Sequence, residues 1–162
     1  RLLATVIADP AQCTEKEMEE WVVDLNSWDL CDQACMNLFR KTPHAWAKHR
    51  AWVRREETFV KRAGFTLAAT LAVHDKAAPD EVFLDVLPLI EAHAVDERNF
   101  VKKAVNWALR QIGKRNAVLN DAAITLAMEL IDRPEKSARW IGRDAYRELA
   151  SDKVQSKLQA SQ

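Results

Sequence analysis

The residues best suited by type and spacing to do chemistry are in Ser27-Trp28-Asp29-Leu30-Cys31-Asp32. The stretch predicts the first turns of a helix, with Ser27 placed to accept hydrogen bonds from the free N–H groups at its start. Positions four apart share a helix face, so Trp28 and Asp32 project together. A carboxylate and an aromatic plane both attract positive charge, and a helix that only fills a core would place neither at its start. Asp29 is accounted for by the helix dipole. Spacing alone leaves Asp32 open between a site residue and a solvated face residue.

Other reactive types are sparse. Cys31 and Cys35 lie four apart and could share a metal, but no His or acid set completes a site around them, and packing is the expected role. His44, His49, His74 and His93 are scattered and form no ligand set, so neither a metal nor another cofactor is expected. Three cysteines without zinc-type spacing predict a reduced, intracellular (cytoplasmic) setting. No apolar run approaches the length of a membrane span, and Arg1 to Pro10 lacks the form of a signal peptide. The first residue is Arg, within a predicted helix, so a chain lacking N-terminal helices of a fuller domain is expected.

The elements that must position Trp28 and Asp32 are helices throughout. With 162 residues, three Gly and five Pro, the chain predicts one all-α domain over 1–162. Leu2, Leu3, Val6 and Ile7 recur at helical spacing before Asp9-Pro10. Thr14 and Glu17 form a capping box for a helix to about Leu25. The Trp28 helix stops before Pro43, and helices follow over 43–55 and 57–74. A helix from Pro79 or Asp80 to about Val95 should kink at Pro88. Further helices are expected over 98–113, from a cap at Asn120 to Ile131, from Ser137 to Leu149 and from Asp152 to Leu158.

Phe59-Val60-Lys61-Arg62-Ala63 recurs as Phe100-Val101-Lys102-Lys103-Ala104, a shift of 41, with a fainter echo at Trp140-Ile141-Gly142-Arg143. A period near 40 in a helical chain predicts stacked helix pairs of the HEAT or armadillo type, one helix of each pair lining a concave wall. Arg62, Lys103 and Arg143 then form a column of cations suited to a phosphate backbone, the alternative being a solvated basic face. The formal net charge of zero conceals a strong asymmetry. Residues 1–33 carry eight acids against Arg1 and Lys16, whereas 40–55 and 98–116 each carry six Lys or Arg and no acid.

Three segments together resemble the DNA alkylation repair family, the AlkD-like HEAT-repeat DNA glycosylases. They are Ser27 to Asp32, then Phe59-Val60-Lys61-Arg62-Ala63-Gly64-Phe65, then Asn99-Phe100-Val101-Lys102-Lys103-Ala104-Val105-Asn106-Trp107-Ala108-Leu109-Arg110. The resemblance implies an all-α HEAT-like solenoid with a concave DNA-binding face. It implies hydrolysis of the N-glycosidic bond of purines alkylated at ring nitrogens, in duplex DNA, with Asp32 as catalytic aspartate and Trp28, Arg62 and Trp107 completing the site. Lys61, Lys102, Lys103, Arg110 and Arg143 are the matching candidates for the DNA backbone.

The residue types suit that chemistry. An alkylated purine is cationic and already a good leaving group, so no acid need protonate it, and one carboxylate can stabilise the oxocarbenium-like sugar or position water. This explains a single Asp where glycoside hydrolases use two carboxyls. Trp28 and Trp107 can face the cationic base. Arg62 is expected to hold a phosphate, its alternative being an ion pair with an acid such as Glu57. Trp21, Trp46, Trp52 and Trp140 are expected to pack, and the protein to act as a monomer. The competing readings are a non-catalytic repeat module that binds damaged or branched DNA, and a protein-interaction scaffold.

Overall fold

The computed structural model of the protein describes residues 2–162, and the described residues hold helices and turns with no strand. In chain order these are α1 (Leu2–Ile7), α2 (Glu15–Val23), α3 (Trp28–Asn37), a 3-10 turn (Phe39–Lys41), α4 (Ala45–Trp52) and α5 (Thr58–His74). Then come α6 (Asp80–Leu84), α7 (Leu87–His93), α8 (Asn99–Gly113), α9 (Ala117–Ile131), α10 (Lys136–Leu149) and α11 (Asp152–Ala160). None of the helices is long and apolar enough to cross a membrane.

Helix starts follow local chemistry. Thr14 and Glu17 form the expected reciprocal capping box, and Ser27 accepts from the Leu30 N–H at 3.3 Å. The expected cap at Asn120 is corrected. Asn116 caps α9 by accepting from the Leu119 N–H, and Asn120 lies one turn inside, where its side chain donates to the Gly113 carbonyl. The expected kinked helix at Pro88 is instead a break. Pro88 would clash with the carbonyl of residue 84, and α6 ends at that Leu84.

The helices pair as the period predicts. α2 precedes α3, α4 packs on α5, α6 and α7 together precede α8, and α9 packs on α10. The second helices, α3, α5, α8 and α10, pack side by side in chain order, giving the HEAT-like layer that carries the site. Two glycines allow the close approach within pairs. A Cβ on Gly64 would lie 2.7 Å from the Val53 nitrogen at the end of α4, and one on Gly142 would lie 2.5 Å from the Ala127 carbonyl oxygen of α9.

The core has two continuous parts. One joins α2, α3, the 3-10 turn, α4 and α5 through Met18, Cys31, Cys35, Phe39, Trp52 and Leu67, and the other runs from α5 to α10. Cys31 and Cys35 pack there as expected, their thiols directed at the Phe59 and Ala63 carbonyls, and burial pushes the Cys35 thiol pKa well above its ordinary value. α1 forms over the expected segment, with its apolar residues facing outward. Leu2, Leu3, Val6 and Ile7 are exposed, while Thr5 turns inward to accept from Asn37.

Part of the charge asymmetry is internal pairing. Lys48 is buried between Glu19 and Glu15, at 3.0 and 3.2 Å, and Arg55 reaches Glu19 and Glu57. The acidic start of the chain thus neutralises part of the first basic stretch. Burial alone would lower the Lys48 pKa, but the hydrogen bonds to Glu19 and Glu15 outweigh it and raise the value.

Candidate functional site

Asp32 and Arg62 meet at the seam of three second helices. Arg62 Nε donates to Asp32 Oδ1 at 3.0 Å and its Nη2 donates to Oδ2 at 2.8 Å, a two-pronged ion pair between α5 and α3. Its Nη1 donates to the Phe100 carbonyl in the first turn of α8 at 2.7 Å. One guanidinium therefore ties three successive repeats together. Thr66, one turn beyond Arg62, directs its hydroxyl at Asp32 Oδ1 from 3.4 Å.

The pair is nearly enclosed: the Asp32 side chain is 12% exposed and that of Arg62 is 7%. This corrects the expectation that Arg62 holds a phosphate. Its three donor positions are turned onto Asp32 and a backbone carbonyl, because the neighbouring second helix supplies a carboxylate at its own level. Glu57, the alternative partner, pairs with Arg55 instead. Arg62 fixes the Asp32 rotamer, which a lone surface carboxylate could not achieve.

Trp28 is the first residue of α3 and is 52% exposed, one turn from Asp32 on the same side of the helix. Trp107 is partly buried against the larger core part. The shift of 41 makes it the α8 counterpart of Thr66, the α5 residue that reaches Asp32. Trp107 is on α8, the next second helix along the layer. It is seven residues, or roughly 10 Å along the axis, beyond Phe100. The structure joins Asp32 to Arg62 directly and leaves Trp28 half-exposed one turn away, while Trp107 lies on α8 without a ring contact to Trp28 among the described residues.

The backbone-binding candidates divide. Lys61 is corrected: it is buried at 4% exposure, with Asp96 and Glu56 each 3.6 Å from its ammonium. The Arg98 side chain, donating to Asp96 in the same loop, holds the Asp96 pKa below the usual carboxylate range. Arg110 is also corrected. It donates to Glu148 at 2.8 Å, and Lys114 binds the other Glu148 oxygen, so α8 and α10 are laced together there. Lys103 and Arg143 are exposed and have no carboxylate within 4.0 Å among the described residues. Lys102 places its ammonium 4.9 Å from the centre of the Trp140 ring.

Of the tryptophans expected to pack, Trp52 is fully buried and donates to Glu19. Trp46 donates to Asp75, and Trp21 tilts against Phe39. Trp140 is different: it is 39% exposed, on a groove of 390 Å³ with Lys136, Arg143 and Arg147. The signal that could have found it was present. Phe59, Phe100 and Trp140 recur at the period, and the first two stack with each other at 5.4 Å in consecutive helices.

Helical pairs whose second helices form one layer, with a carboxylate and tryptophans on that layer, define a HEAT-like repeat protein. The chain matches the DNA alkylation repair enzyme family over residues 1–149 and belongs to it. Its fold is similar to a solved structure described as a new family of proteins related to the HEAT-like repeat DNA glycosylases, with affinity for branched DNA structures. The TM-score is 0.71 at 19% identity, covering 90% of this chain and 67% of that one. No curated protein matches the chain.

Proposed function

We propose that this protein is a DNA glycosylase that removes purines alkylated at a ring nitrogen from duplex DNA by hydrolysing the N-glycosidic bond. The observation that carries the reading is a carboxylate locked by a two-pronged arginine, one helical turn from a half-exposed tryptophan. Family membership supports the same reading.

The cationic base leaves without protonation, and positive charge develops on the sugar. Asp32 Oδ2 takes one hydrogen bond from Arg62, so a lone pair remains for an attacking water or for the sugar's charge. The size of this effect follows from Coulomb's law. A unit charge about 4 Å from the carboxylate gains about 4 kcal/mol at an effective dielectric near 20. Arg62 behind it, about 7 Å from the same centre, returns about 2.4 kcal/mol as repulsion. The net, about 1.6 kcal/mol, is a rate factor of roughly 15. A contribution of that size suits only a bond that the lesion has already weakened, which explains selectivity for cationic bases. Trp28, and Trp107 from α8, add about 0.5–2 kcal/mol of cation–π attraction per contact. Lys103 and Arg143 contact the DNA backbone, and the protein acts as a monomer on DNA in the cytoplasm.

A second reading is DNA binding without base release. The neutralising ion pair and the near-enclosure of Asp32 favour it, as does the binding described for the similar structure. One assay separates the two. Alkylated duplex DNA is incubated with the native protein and with Asp32→Asn, and free methylated purine is measured. The glycosylase reading expects release that drops roughly tenfold or more in the variant. Equal release by both proteins would reject the role of Asp32. Salt-sensitive duplex binding without release by either establishes the second reading.

A further inference from the structure

A groove runs along α10, apart from the Asp32–Arg62 pair of α3 and α5. Lys136, Arg139, Trp140, Arg143, Asp144 and Arg147 line it, and Lys136, Trp140, Arg143 and Arg147 recur at intervals of three or four residues. Asp144 also lines the groove, but its Oδ2 accepts from Asn106 of α8 at 2.7 Å, and Glu148 binds Arg110 and Lys114 of the same helix. Lys136, Arg143 and Arg147 have no carboxylate within 4.0 Å among the described residues. A helix that only needed solubility would interleave its acids and bases. Here four bases and one acid, already bonded to Asn106, collect around an exposed indole.

The indole itself is incompletely used. Lys102 sits over the Trp140 ring, and the side chain remains 39% exposed. The exposed part of the ring is open to a second partner. Arg143 and Arg147 stand one turn apart, roughly 5–6 Å, beside it. The groove's 390 Å³ lies within the range of about 300–1,000 Å³ typical of small-ligand sites.

We propose that this groove binds an unpaired nucleotide of single-stranded DNA, with its base stacked on Trp140 and its flanking phosphates on Arg143, Arg147 and Lys136. Stacking selects the occupant: bases inside a duplex have both faces covered, so a ring platform among cations favours a strand whose bases are free. The proposal rests on the DNA-binding reading above and is independent of base release, because Trp140 belongs to α10 and the Asp32–Arg62 pair to α3 and α5.

The test is fluorescence anisotropy with a labelled oligothymidylate and, separately, a blunt unmodified duplex. Trp140→Ala is expected to weaken oligothymidylate binding roughly tenfold and leave duplex binding unchanged, and Trp140→Phe to restore most of the loss. Arg143→Gln and Arg147→Gln should each lower the single-strand salt slope by about 0.7. Circular dichroism of each variant guards against misfolding. Duplex binding with no Trp140-dependent single-strand component overturns this proposal alone, and failure to bind either DNA overturns it together with the function above. Polyglutamate displacing the oligonucleotide from native protein and Trp140→Ala equally would show charge without stacking, and would also overturn it.

Discussion

Arg62 and Arg143 both lie on the second helix of a repeat, and they end in opposite electrostatic states. Arg62 is enclosed and bound by Asp32 and the Phe100 carbonyl, whereas Arg143 is exposed with no carboxylate within 4.0 Å among the described residues. The preceding second helix decides the difference. α3 offers Asp32 to α5, whereas α8 offers Lys102 to α10 and keeps Arg110 and Lys114 for that helix's acids. A cation in a repeat is a structural tie or a binding group according to what the neighbouring repeat presents at its level.

The largest expected effect tests the enclosed side of this contrast. Arg62→Ala leaves Asp32 as a buried charge without its partner and should destabilise the fold by about 3–5 kcal/mol in denaturant unfolding. Arg143→Ala should stay within about 0.5 kcal/mol of the native value. Similar losses in the two variants would erase the distinction.

Acid should act on the Arg62 side. His49 of α4 donates from Nδ1 to the Gly64 carbonyl of α5 at 2.8 Å, and burial depresses its pKa to about 4. The unfolded value is about 6.5, so the unfolded chain takes the proton first as pH falls. Stability is therefore complete above pH ~6.5 and lost progressively towards pH ~4, by about 3 kcal/mol. His93, lowered chiefly by burial, contributes with the same sign. Unfolding midpoints at pH 7 and pH 5 measure the loss, and His49→Gln should flatten it. An unchanged slope in that variant would place the acid sensitivity elsewhere.

The glycines probe what the two regions share. Gly64→Ala and Gly142→Ala each set a methyl against backbone of the partner helix, and each should cost about 1–3 kcal/mol. A loss at one position only would mean that the pairs are not packed alike. The smallest effect is in binding. Arg143→Gln should reduce the salt slope for duplex DNA by about 0.9, and Lys61→Met should leave it unchanged because Lys61 is enclosed by acids. A reduced slope for Lys61→Met would contradict its placement.

Much of the fold is legible in the sequence, because helix signals are local. The capping box at Thr14, the cap at Ser27 and the period of 41 each depend on residues close in the chain or repeated along it. The misplaced cap at Asn120 shows the limit. Asn116 and Asn120 are chemically alike, and only packing against Gly113 and α11 assigns the second to the interior. Within the site, Trp28 and Asp32 are readable because their spacing lies within one helix.

The sequence by itself determined an all-helical repeat chain with Trp28 and Asp32 on one face. Tertiary structure decided which charges remain available. Arg62 became a tie, Lys61 went inside, and Trp140 came to the surface beside unpaired cations. The physical reason is range. Helix periodicity is set by neighbours three and four residues away, but a side chain's partner is set by the adjacent helix, some 30 to 40 residues distant, and no local pattern records which group that helix will present.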